Sequence, residues 1–238
     1  MLQRMETQSE VAGGQQAPYL SVRGDAERFV TPDSVEMSSM IELVRDSREG
    51  ALAAAAEAVL KVREGLQELG GVVNDVSSLR QPIRWSTRRV VATPQYERSG
   101  TEEAGRFVGS ASVGIYVRDF DLLEAVERLA AQVDGFRINY ATWQVDPDNA
   151  AWSEIRLEAI DAAMTKGRDY ATALKTQLVA VEHVADLGLL GLDPSTRMRG
   201  AVMSAAGGGA GTGFDPVPQA VAASVEARFR IATVPLDA

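Results

Sequence analysis

Residues Asp146 to Leu178, DPDNAAWSEIRLEAIDAAMTKGRDYATALKTQL, are the stretch whose reading decides the fold. Trp152, Ile155, Ala159, Ala163, Gly167, Tyr170, Leu174 and Leu178 recur there at three- and four-residue steps. A period of 3.6 residues per turn gathers them onto one face of a helix. Asp146 can accept from free amides at its start, and Pro147 at the first helical position gives up only a donor that has no partner anyway. Leu157, Ile160, Met164 and Ala171 form a second apolar row beside the first, so the apolar sector is wider than one contact surface needs. At 1.5 Å per residue such a rod is roughly 50 Å long. It is expected to lie along a whole sheet and to offer its other edge to a further partner, such as another subunit.

Working outward towards the N-terminus, Val35, Met37, Ser39, Ile41 and Leu43 alternate within Ser34 to Arg45, the period of a half-buried strand. Asp46 with Glu49 reads as a capping box, and Leu52, Ala55, Val59, Val62, Leu66 and Leu69 follow at helical spacing until Gly70-Gly71. Val72 to Leu79 reads as extended again. The same order returns with a strand over Phe107 to Val117, a helix capped by Asp119 or Asp121 and stopped by Gly135, and a strand over Phe136 to Val145. Pro18 to Gly24 predicts a short first strand. Val179 to Leu187 and Ala220 to Thr233 predict two more at the C-terminal end.

The expected fold class is therefore α+β: a mixed β-sheet packed against one long and two shorter helices, built from two strand-helix-strand units plus the long helix and a C-terminal strand pair. Residues 1–16 are polar and Gly/Gln-rich, which predicts a flexible arm. Residues 17–234 form the domain, with room for two lobes. Gln81 to Arg106, with Pro82, Pro94 and Gly100, predicts an irregular hairpin or arm, and residues 188–219 a Gly-rich loop.

Composition narrows the function. There are 33 acidic against 24 basic residues, a net charge of −9, which disfavours nonspecific nucleic-acid binding. Cysteine is absent, so thiol catalysis, cysteine-type zinc sites and disulfide frameworks are excluded. The first 16 residues have no apolar run of seven, and no later stretch reaches 18 uninterrupted apolar residues. The expectation is a cytoplasmic product without a membrane span.

Candidate chemistry is sparse. His183 is the single histidine and falls in a predicted strand between Glu182 and Val184, so no triad or histidine metal spacing can be assembled. Asp119 and Asp121, like Asp146 and Asp148, sit at predicted helix starts, where free amides favour negative charge. The run Ala205 to Gly213 satisfies neither phosphate-loop spacing. No catalytic residue, metal site or cofactor is predicted. Arg80, Arg84, Arg88 and Arg89 interleave with Trp85, an arrangement that can grip single strands by stacking but also suits a solvated hairpin edge or an acidic patch on a neighbouring subunit.

The ordered set Leu20-Ser21-Val22-Arg23-Gly24, Thr31-Pro32-Asp33, Val113 to Leu123, Asp146-Pro147 and the terminal strand Val221 to Ile231 resembles the SIMPL-domain family over roughly residues 18–233. That family includes a bacterial periplasmic immunogenic protein and a mammalian adaptor of an innate-immunity kinase. The resemblance implies an α+β fold with a long helix against mixed sheet, and a homo-oligomeric, ring- or channel-like particle. It carries over no catalytic residues. The chain is expected to depart from the bacterial pattern in lacking an export signal, and it has Phe107 where many relatives have a Gly-Tyr pair. The expectation is a non-enzymatic, self-assembling protein; the alternative is a monomeric adaptor using the 81–106 arm for a protein partner. A small-ligand protein or enzyme comes third. Expected oligomer or partner contacts are Arg84, Trp85, Arg88, Arg89, Leu157, Ile160, Met164, Gly208, Gly211 and Phe214.

Overall fold

The computed structural model describes residues 18–96, 103–187 and 215–233. In chain order the elements are β1 (Tyr19–Val30), β2 (Ser34–Arg45), α1 (Arg48–Glu68), β3 (Val72–Val73), β4 (Ile83–Thr87), β5 (Val91–Tyr96), β6 (Glu103–Val117), α2 (Leu123–Gln132), β7 (Phe136–Gln144), α3 (Ala151–Ala173), β8 (Leu178–Asp186) and β9 (Gln219–Ile231). The fold is α+β, with mixed sheets and three helices. Two compact units divide the chain: one takes Met1–Glu27, Ser153–Ala201 and Ala222–Ala238, the other Arg28–Trp152 and Val202–Val221.

The larger unit is built on a six-stranded sheet in the order β3-β4-β6-β2-β7, with β5 also paired to β6. β2 runs antiparallel to both neighbours, in unbroken register with β6 from Val35↔Val117 to Arg45↔Phe107. The alternation read from the sequence holds: Val35, Met37, Ser39, Ile41 and Leu43 are buried, while Glu36, Ser38, Met40 and Glu42 take the other face. Val59, Val62 and Leu66 of α1 and Leu123 and Val126 of α2 close over Met37, Ile41, Val113 and Ile115 in one core. Each such side chain contributes roughly 1.5–3 kcal/mol by leaving water, so packing rather than helix propensity holds α1 in place.

Local details differ from the sequence reading where side chains found nearer partners. Ser47, not Asp46, caps α1: its extended backbone lets Oγ accept from the Gly50 amide at 3.0 Å. The helix ends as expected, because Gly70 at φ 78° lets its amide reach Gln67 O and the Gly71 amide reach Leu66 O. Val72 to Leu79 stays extended only over Val72–Val73, since Asp75 captures the Ser77 and Ser78 amides and winds a short 3₁₀ turn. Residues 81–106 are not an irregular arm where they are described. They carry β4 and β5, both hydrogen-bonded along β6.

The smaller unit is a three-stranded sheet, β1-β9-β8, packed on α3. Its buried side is Val22, Val225, Ala227 and Phe229 against Ala159 and Ala163. On the other side Arg228 lies over the Tyr19 ring at 4.6 Å, Arg23 meets Glu226 at 3.7 Å and the Ser224 hydroxyl donates to Asp25 at 2.8 Å. That order of partners shows β1 and β9 antiparallel.

The rod is shorter and narrower than its sequence suggested. α3 spans 23 residues, about 35 Å, and its buried positions are Ala151, Ile155, Ala159, Ala163, Gly167 and Ala171, a strict four-residue stripe of mostly small side chains. Small residues are required because the sheet comes so close. Around Gly24 there is no room for a Cβ, which would sit 2.0 Å from Ala159 O. Tyr170 and Leu174, assigned to the core face, are exposed. The start is also built differently, since Asn149 Oδ1, not Asp146, accepts the Ala151 amide at 2.9 Å.

Ending α3 falls to Lys175. It stands at φ 53° so that its amide reaches Thr172 O and the Thr176 amide reaches Ala171 O. A side chain costs about 1–2 kcal/mol in that region, and glycine returns part of this as lost unfolded-state freedom. Lys175→Gly is expected to stabilise the protein by about 0.5–1 kcal/mol, read as a higher urea midpoint at unchanged slope.

Candidate functional site

The arginine-rich stretch does not form one surface. β4 alternates, so Trp85 points into the core with Arg63 over its ring at 5.1 Å, while Arg84 points to the opposite face of the sheet. Arg84 is itself buried, donating to Asn74 Oδ1 at 2.9 Å and lying 4.6 Å over the Tyr116 ring. Arg80, Arg88 and Arg89 are exposed. Burial raises the Tyr116 hydroxyl above the usual phenol range, and its hydrogen bond to the Glu36 carboxylate adds to the rise. Glu36 also accepts from Gln144 Nε2 at 3.0 Å. Asn74, Arg84, Tyr116, Glu36 and Gln144 thus tie β4, β6, β2 and β7 together across one face, a cross-brace with no free nucleophile or base.

A second polar cluster surrounds the approach to α3. Asp146 accepts from Arg118 at 2.6 Å and Arg80 at 3.3 Å, and Arg80 also pairs with Asp148. The Asp146 amide and the Asn149 side-chain amide both donate to Asp33 Oδ2 at 2.8 Å. The indole of Trp152 then donates back to Asp146 O at 2.8 Å. The hydrogen bond from Arg118 holds the Asp146 carboxyl below the usual carboxylate range. Asp33 Oδ2, Asp146 Oδ2 and the Asp146 carbonyl each accept from a neighbouring segment, so the cluster is a latch between the Thr31-Pro32-Asp33 turn and the Asp146-Pro147 turn. Among the described residues no group of three or more His, Cys, Asp or Glu side chains could hold a metal ion.

Exposed large apolar side chains occur in both units, and in the smaller one they gather on α3, just past its end and on β8. On α3, Leu157 is 62% exposed and Ile160 and Tyr170 are exposed as well, and Leu174, just past its end, is 54% exposed. Met164 is half-buried against the small core of that unit. Val179, Val181 and Val184 of β8 are also exposed. A groove of about 560 Å³ lies between α3 and β8, with Ile160, Val184 and Val225 as its apolar lining and Arg156, His183 and Asp186 at its polar positions.

Of the expected contact residues, then, Leu157 and Ile160 are open, Met164 is half-covered, Arg84 and Trp85 are buried, and Arg88 and Arg89 are exposed. Gly208, Gly211 and Phe214 lie outside the described residues. The β8 valines were passed over in the sequence because alternation alone does not tell an edge strand from a central one. Among the described residues no helix is long and apolar enough to cross a membrane.

The model of the family SIMPL, a protein of unknown function (DUF541), matches residues 20–229. No curated protein matches the chain.

Proposed function

The chain belongs to the SIMPL family, and from that premise we propose that it works by self-assembly, as a homo-oligomeric structural protein rather than an enzyme. The observation that carries this reading is the apolar surface left open along α3 and just past its end, where Leu157, Ile160 and Leu174 are exposed beside charged neighbours. A buried Leu or Ile side chain gains roughly 1.5–3 kcal/mol over an exposed one, so association through such a face is favourable. The adaptor reading depended on a free arm at 81–106, and β4, β5 and the start of β6 place most of its described residues within the sheet.

Light scattering after size exclusion at micromolar concentration is expected to return a multiple of the 25.5 kDa chain mass. A single species at the chain mass would end the proposal.

A further inference from the structure

We propose that the free edge of β8 pairs, antiparallel, with β8 of a second copy, joining two three-stranded sheets into one of six strands. This rests on the self-assembly reading and names the surface that carries it. Within the described residues β8 ends the sheet and bonds only to β9. An edge strand presents unpaired amides and carbonyls, and exposed valines on such an edge are a template for another chain.

The choice of a second copy as occupant follows from the register of β8 on β9. Val181 stands opposite Phe229 and Val184 opposite Ala227, on the face that carries α3. Ala180 stands opposite Arg230, His183 opposite Arg228 and Ala185 opposite Glu226, on the other face. Glu182 is the extra residue of an irregularity between Val181 and His183, and it reaches Arg230 at 3.7 Å, so it shares the outer face with His183. The bulge therefore places two neighbours, Glu182 and His183, on one face at the middle of the strand.

That arrangement makes the segment Ala180 to Ala185 of β8 complementary to itself about its midpoint. When a second β8 runs antiparallel through a two-fold axis perpendicular to the sheet, outer residues must meet outer ones and inner ones inner. Without the bulge, the axis could not pass between two residues and keep the faces matched. With it, Glu182 meets His183 of the second copy, Val181 meets Val184, and Ala180 meets Ala185, each pair occurring twice. Opposite polarity meets on the outer face and valine meets valine on the inner one. Val181 of the second copy arrives at Val184 on the lip of the groove that Ile160 and Val225 line.

The absence of cysteine makes the register directly measurable, because introduced thiols are the only ones present. Val181→Cys and Val184→Cys proteins are mixed, oxidised and run without reductant, beside each variant alone and beside a Val181→Lys variant sized by light scattering. Directly opposed strand positions lie within disulfide reach, about 4.5–5.5 Å between Cα atoms. The expected result is a cross-linked pair in the mixture and little in either variant alone, with loss of the wild-type assembly in Val181→Lys while circular dichroism is unchanged. An assembled wild type that yields no mixed disulfide, or that cross-links through Val181→Cys alone, overturns the β8 pairing and leaves self-assembly standing. Capture of a different, extended chain by a wild type that stays monomeric overturns both, as does a monomer that captures nothing.

Discussion

Gly24→Ala is expected to destabilise the smaller unit by about 3 kcal/mol or more. The added methyl carbon would fall 2.0 Å from Ala159 O and 2.4 Å from Ala163 N, both backbone atoms of α3. A flexible side chain could swing aside, but a helix backbone can move only as a body. Separating α3 from β1 by even an ångström weakens the contacts of Ala159, Ala163 and Val22 with the sheet at once. Hydrogen exchange should show the loss confined to β1, α3, β8 and β9, with β2 and β6 still protected. Ser21→Ala, on the outer face of the same strand, should barely move the urea midpoint. Equal midpoints for the two variants would mean that helix and strand are not in backbone contact.

Asp146→Asn is expected to cost about 2–3 kcal/mol at pH 7. The substitution keeps the shape but removes the charge that both Arg118 and Arg80 engage, and Arg118 is largely shielded, with 19% of its side chain exposed. It also loosens a turn whose amide is bonded to Asp33. The pH dependence has a definite sign. The Asp146 carboxyl is depressed by Arg118 in the folded state, so its contribution is complete above the unfolded carboxylate pKa of about 3.9 and is lost as pH falls through the lower folded value. The gap between wild type and variant should stay constant from pH 7 to about 5 and close in stronger acid. Urea midpoints along that series test it, and a gap that widened towards acid would contradict the latch.

Local periodicity made most of the secondary structure legible. The alternation of Val35, Met37, Ile41 and Leu43 fixed which face of β2 is buried, and the glycines after α1 and α2 marked their ends. What was not legible depended on partners distant in sequence. Asp146 reads as a helix cap until Arg118 and Arg80 approach it, and Trp85 reads as a surface aromatic until β6 pairs with β4 and turns it into the core. The breadth of α3 was misread for a related reason. Apolar spacing records which residues can be buried, whereas the distance of approach, set by Gly24 and Gly167, decides how many are. With the sheet pressed against the helix axis, a stripe of alanines suffices and the larger side chains remain outside.

The smaller unit draws its strands from opposite ends of the sequence. Ser21 and Arg228, bonded across β1 and β9, are 207 positions apart. At synthesis rates of about 5–20 residues per second, β1 leaves the ribosome roughly 10–40 s before β9 exists. The larger unit, nearly continuous in the chain, can condense in that interval, while β1 waits without the strand it was made for. A nascent chain in that condition is open to pairing with another like it, so the step that completes one molecule is also where crowded translation could tangle two.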